Sequence, residues 1–498
     1  MSLQRRWALA LIGALMTAAG ALSPALAQPQ TARLVLGMVL EPPTLDPTSA
    51  AAAAIGEVVH YNILEGLTKV NVDGKVTPLL AQDWTESPDG RSYTFRLRRG
   101  VTFSDGKPFT ADAVKFSFER AKAEGSTNKA KKAVFNNISR VTVVDAQTVI
   151  LTLDKADPTM PFRLGENTAV ILHPDSAAQA ATSPVGTGPY TLAEWKKGSS
   201  ITLAARADAR VKPAIQRVTF RFINDPAAQV AALLAGDIDG MPRFGALQSL
   251  KQFQGDRRFT VQIGSTAGKG QLTINNKRKP FDDVRVRRAI MHAIDRQAFI
   301  DGVLEGLGRP IGSHFAPTDA GYIDLTGVYP YDPAKARALL KEAGVATPLN
   351  VTLTLPPPAY ARKGGEVVAA MLAQVGINAK IENVEWAQWL SGPFKGNFDL
   401  TIINHVEPLD YAQYTNKDYY WGYDSKVFDA LFAAHAGTTN PAERQRFWQD
   451  MQRQLTTDAV NAWIFNPSQV MVAKKGLQGL WMNSPIFAND IAAVRWGP

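Results

Sequence analysis

The side chains able to do chemistry are few and scattered along the chain. The six histidines are His60, His173, His292, His314, His405 and His435, and none has a partner at the spacing that lets two imidazoles hold one metal from a helix face. Cysteine is absent, which removes thiol catalysis, thiolate metal sites and disulfide staples. No G-x-S-x-G elbow and no P-loop occurs. Gly186-Thr187-Gly188 and Gly268-Lys269-Gly270 lack the third glycine of a dinucleotide fingerprint, so both read as turns. Ser104-Asp105-Gly106-Lys107 fits a Ser–Lys hydrolase pattern, but Ser126 and Lys129 match it as well, as chance allows for two fixed positions. A carboxylate pair for glycoside chemistry would meet only in space, and nothing local favours one. The chain reads as a non-enzyme without a cofactor or a resident metal.

Elements must then explain the chain. Its 498 residues are 45% hydrophobic and 20% charged, enough for a large core in two to four units and unlike a disordered chain. The net charge of +9 comes from short dispersed clusters such as Arg96, Arg98 and Arg99, or Arg285, Arg287 and Arg288. These read as solvated faces, so no nucleic-acid partner is expected. Residues 1–27 read as a cleavable export signal. Arg5 and Arg6 lead, residues 7–22 are uncharged and mostly apolar, and Ala25-Leu26-Ala27 offers small residues at −3 and −1. The run is short for a span of roughly 20 residues. The mature chain is expected in the periplasm.

Strand and helix patterns alternate from there on. Residues 33–39 form an apolar run fit for a buried strand, and Tyr93, Phe95 and Leu97 alternate with polar neighbours. A hairpin is expected across 141–153, turning at Asp145-Ala146-Gln147. A helix follows Thr110, with Ala111, Val114, Phe118 and Ala121 on one stripe. Asp332 caps a helix opening at Pro333 and closing at Gly344, and Asp283 opens another. The mixture predicts an α/β protein of more than one lobe.

Several ordered segments resemble the extracellular solute-binding proteins of ABC importers, specifically the dipeptide/oligopeptide/nickel-binding family 5. They are Glu41-Pro42-Pro43-Thr44-Leu45-Asp46-Pro47, Tyr61 to Leu67, Leu79 to Trp84, Tyr93 to Val114, Pro184 to Tyr190, Ala235 to Asp239, Arg285 to Asp295 and Tyr331 to Ala336. The resemblance implies a bilobal α/β fold, the periplasmic-binding-protein type II or "Venus flytrap", with an extra domain inserted in the first lobe. It implies a first lobe over 28–59, 183–265 and 470–498, the added domain over 60–182, and a second lobe over 266–469. It also implies a monomer that captures a small organic or peptide-like solute and delivers it to an ABC permease complex at the inner membrane. A secreted hydrolase on the same fold and a nickel or metal-chelate binding protein are the alternatives.

Peptide-binding members of that family place an Asp four residues before the Pro of an acidic-Pro pair, where it holds the peptide ammonium. The matching stretch here runs Asn404-His405-Val406-Glu407-Pro408-Leu409-Asp410-Tyr411, so a neutral Asn404 stands in that place. His405, Glu407 or Asp410 are candidates to replace the charge. The aromatic run Tyr411 to Tyr423, preceded by Trp386 and Trp389, offers flat walls with polar handles. Arg362 is a candidate for a solute carboxylate, and Asn275 for an amide contact. Trp389→Ala and Asn404→Asp are expected to change affinity while leaving the solute-free melting temperature within a few degrees.

Overall fold

The structure is a computed structural model that describes residues 32–50, 52–319 and 321–497. The export-signal reading of 1–27 lies outside those residues.

One long mixed sheet carries the molecule. Its path runs through strands Ile377–Asn383, Leu349–Leu355, Leu400–His405, Lys269–Ile274, Ala462–Lys474, Gly240–Met241, Arg33–Met38, Arg217–Phe222, Ser200–Ala205 and Tyr190–Lys196. The 13-residue strand Ala462–Lys474 belongs to both halves. Its first part pairs with Lys269–Ile274 and Gly308–Pro310, and its second part pairs with Phe259–Ser265 and Gly240–Met241. The chain therefore passes between halves twice, at 266–268 and again near Pro467. We call the half built on Arg33–Met38 lobe one and the half built on Lys269–Ile274 lobe two.

Each half has its own core. Leu34, Leu36, Val218 and Phe220 fill the first; Leu272, Ile274, Leu353, Leu400 and Ile402 fill the second. A four-stranded antiparallel sheet, Ala81–Glu86, Ser92–Leu97, Thr148–Leu153 and Ile138–Asp145, packs with helix Ala111–Lys122 around Tyr93, Phe95, Val114 and Phe118 as a further unit. Two arginines tie this unit to lobe two. Arg163 donates to the carbonyls of Pro408 and Leu409 at 3.0 and 3.1 Å, and Arg444 grips Glu86 at 2.9 and 3.0 Å.

Local signals behave as their chemistry dictates. The Asp332 carboxylate accepts from the Lys335 N–H, Pro333 opens helix Pro333–Glu342, and Gly344 takes the left-handed φ of 71° beyond it. Asp283 likewise accepts from the Arg285 N–H to start Val284–Ala293. Gly186 is needed for close approach, because a Cβ there would sit 1.9 Å from the Ile63 carbonyl oxygen. Ser104 lies in a turn whose Lys107 is engaged by Asp175 at 2.5 Å.

The second glycine motif departs from expectation. Lys269 and Gly270 are not a turn; they begin strand Lys269–Ile274, in register with His405 and Asn404. Gly270 is there because the Phe465 ring lies against the strand, 2.3 Å from where a Cβ would stand.

Candidate functional site

Two strand ends meet at the crossings. In lobe two, strand Leu400–His405 releases its carboxyl end into 406–410 directly beside Lys269. In lobe one, strand Gly240–Met241 releases its carboxyl end at Arg243. The Arg243 guanidinium donates to Ser484 Oγ at 3.0 Å, approaches Glu57 at 3.3 Å, and lies over the Phe487 ring. Ser484 bridges Thr266, and a Cβ on Gly268 would lie 2.8 Å from Asn404 Oδ1, so Arg243 and Asn404 flank one crossing from opposite lobes. Carboxyl ends of strands at a change of sheet direction are where open α/β sheets bind ligands.

Behind this wall lies a buried ionic hub. Asp410 receives Lys269 Nζ at 2.8 Å and His314 Nε2 at 2.9 Å on one oxygen, and faces His405 Nδ1 at 3.2 Å with the other. Lys269 Nζ also donates to the Glu407 carbonyl at 2.6 Å. His405 Nε2 lies 2.8 Å from the Tyr420 hydroxyl, and His314 Nδ1 lies 3.2 Å from the Gln271 side-chain amide. Tyr414 and Trp421 roof the pair of imidazoles. Lys269 is 1% exposed and His314 is 1% exposed, so the hub is almost dry.

Its electrostatics follow from that dryness. Burial pushes the Asp410 carboxyl up, but His314, Lys269 and the hydrogen bonds from the imidazoles hold it well below the usual carboxylate range. Burial lowers His314 to about 4, so it is a neutral imidazole at pH 7. Asp319, which accepts from the Ala316 N–H at 2.8 Å, is raised to about 6 by burial. His314, His405 and Asp410 bring three ligand-type atoms within 4.8 Å of one another. The Lys269 ammonium bonded to the same carboxylate makes this an ion-paired hub, because a dication would have to displace a buried cation.

The nine residues singled out from the sequence separate into three places. Asn404, His405, Glu407, Asp410 and Tyr411 come together at the carboxyl end of their strand. Asn404 donates its backbone N–H to the Tyr360 hydroxyl at 3.1 Å, while its Oδ1 is buried without a partner. His405 and Asp410 are spent within the hub. Glu407 is exposed, its carboxylate accepting only from the Val406 N–H at 3.2 Å. Tyr411 stacks on Phe315 in the lobe-two core.

Trp386, Trp389 and Arg362 sit on the outer part of lobe two. Arg362 pairs with Glu385 at 3.0 Å, and Trp386 is exposed against the edge of Trp389. Asn275 lies at the opposite end of strand Lys269–Ile274 from the hub, donating to the Gly396 and Phe398 carbonyls at 2.9 Å each. Trp389 is buried and donates from Nε1 to Thr401 Oγ1 at 3.0 Å. Trp389→Ala is therefore expected to cost about 3–5 kcal/mol of folding free energy, seen as a lower urea midpoint of the solute-free protein. This replaces the expectation of a melting temperature within a few degrees of wild type; an unchanged midpoint would show that the indole is not packed.

Lys269, His314 and Arg243 escaped the sequence reading. Lys269 carried one usable signal, a lone cation opening an apolar strand pattern. His314 had none, being 91 residues from His405.

A continuous sheet passing twice between two lobes, with polar residues gathered at the crossings, defines the bilobal periplasmic-binding-protein type II architecture. HbpA2 from Haemophilus parasuis has the same fold, with a TM-score of 0.85 at 23% identity over 94% of this chain and 100% of that one. The profile of bacterial extracellular solute-binding proteins, family 5 Middle, matches residues 75–426. Di/tripeptide-binding protein 1 of Pseudomonas aeruginosa is 31% identical over 420 residues, 77% of each chain. Heme-binding protein A of Haemophilus influenzae is 28% identical over 433 residues, 79% of each chain. The chain belongs to the bacterial extracellular solute-binding proteins of family 5.

Proposed function

We propose that this protein is a periplasmic receptor that captures a small organic or peptide-like solute between its lobes and presents it to an ABC importer. The observation that carries this reading is the meeting of two strand carboxyl ends across a double crossing, with Arg243 on one side and Asn404 to Glu407 on the other. Two crossings form a hinge, and a solute touching both walls stabilises the closed arrangement by its differential affinity for the two states. The permease then reads the closed form, and the solute leaves chemically unchanged. Named relatives bind quite different cargo, di/tripeptide in one and heme in another, which supports a common device with a variable wall.

The test is to purify the protein from periplasm and compare it before and after unfolding, dialysis and refolding. A solute at about 100 times its dissociation constant adds about 2.7 kcal/mol, so the native sample should melt a few degrees higher and carry an extra mass in native mass spectrometry. If it arrives empty, a thermal-shift panel of peptides, aromatic acids, sugars and nickel chelates takes its place. Turnover of any panel member into product would favour a hydrolase and overturn the reading.

A further inference from the structure

The stretch 404–410 contains two carboxylates, and the buried one, Asp410, has no charge left free. Asp410 is committed to Lys269 at 2.8 Å and to His314 at 2.9 Å, and faces His405 at 3.2 Å. The Glu407 carbonyl, the other strong acceptor pointing into the wall, takes Lys269 Nζ at 2.6 Å. The Glu407 carboxylate projects into solvent, where an ion pair contributes roughly 0–1 kcal/mol. Asn404 contributes an uncharged amide with a buried, unpartnered oxygen. The ammonium behind this wall is thus the protein's own, delivered by a side chain that is 1% exposed.

We propose that Lys269 is a built-in cation filling the anionic subsite of the 404–410 wall, so that the receptor selects a solute presenting an uncharged hydrogen-bonding group there, as an N-acylated or amide-capped compound does, and not a free ammonium. The substrate class rests on the receptor reading above, whereas the occupied subsite does not. Its physical basis is valence. An aliphatic ammonium has three N–H donors, and here two of them are placed on Asp410 and the Glu407 carbonyl. A second ammonium brought to the same acceptors would meet like charge in a dry site.

Lys269→Ala deletes a propylammonium-sized piece and leaves the Asp410 carboxylate without its cation. The purified variant is expected to melt roughly 5–10 °C below the wild type. n-Propylammonium chloride at millimolar concentrations should restore much of that loss, while sodium chloride and tetramethylammonium chloride at equal ionic strength should not. The wild type should respond to none of the three. Lys269→Met/Asp410→Asn removes both charges together, and it should fold without amine and ignore it, which keeps the test readable if Lys269→Ala folds poorly. Equal effects of propylammonium and sodium on Lys269→Ala, or a propylammonium-specific shift in the wild type or the double variant, would overturn the proposal. None of these readouts requires the solute to be known, so a failure here is separate from an empty or catalytic cleft.

Discussion

Asp410→Ala is expected to destabilise the protein by about 3–5 kcal/mol, one of the largest losses available to a single polar substitution. The carboxylate is the common partner of Lys269, His314 and His405, and removing it strands an ammonium inside lobe two. The Glu407 carbonyl can retain one hydrogen bond to that ammonium but supplies no charge. Asp410 also follows Leu409, held at a left-handed φ of 55° between the hub and the Arg163 guanidinium of the neighbouring unit. Loss of the carboxylate therefore frees a strained segment at the carboxyl end of strand Leu400–His405. Urea unfolding at pH 7 should show the midpoint fall, and solute affinity should fall with it. A midpoint within about 1 kcal/mol of wild type would mean that the hub is not the anchor described here.

Mild acid is expected to be nearly as damaging. Burial lowers His60 to about 3, and His314 and His435 to about 4, from an ordinary value of 6.5. Between pH 6.5 and 4 the unfolded chain binds protons at these positions and the folded chain does not, so stability is lost as pH falls through that window. Two pH units below 6.5 correspond to roughly 2–3 kcal/mol for each imidazole. Asp319 works in the opposite direction. Its folded value is raised to about 6, so the folded state takes up a proton first and gains stability as pH falls through 6. Glu65, also raised by burial, works in the same direction as Asp319; three histidines outweigh these two carboxyls, and the net loss between pH 7 and pH 4.5 should be about 5 kcal/mol. Urea midpoints at the two values measure it. His435→Gln should shrink the difference by roughly 2–3 kcal/mol; an unchanged difference would show that this imidazole is already protonated in the folded state.

How much of this was legible in the sequence depended on how local each signal is. The caps at Asp283 and Asp332, the alternation around Tyr93 and the turn at Asp145-Ala146-Gln147 involve neighbours within a few residues, and the elements follow them. Gly268-Lys269-Gly270 misled because a paired glycine has two opposite uses. Here it admits the Phe465 ring from a strand almost 200 residues away, and no periodicity reports that. The same distance problem hid the hub. Spacing rules look for histidines on one helix, whereas His314, His405 and Asp410 converge from three loops and strand ends. Trp389 was read as a wall because an indole is amphipathic, but its N–H is satisfied inside by Thr401. Arg163 and Arg444 bridge units that lie hundreds of residues apart in the chain, which no local pattern reports.

The central claim is that a solute closes two lobes about the crossings at 266–268 and Pro467. The absence of cysteine allows one clean labelled pair, Lys196→Cys and Lys380→Cys, on the two terminal strands of the sheet path. Both side chains are exposed, 63% and 77%. Energy transfer between dyes at these positions should change saturably when solute recovered from the native protein is added to the refolded, labelled protein. The midpoint should match the dissociation constant measured by calorimetry. Tight binding without any change in transfer would place the solute outside the cleft and contradict the account.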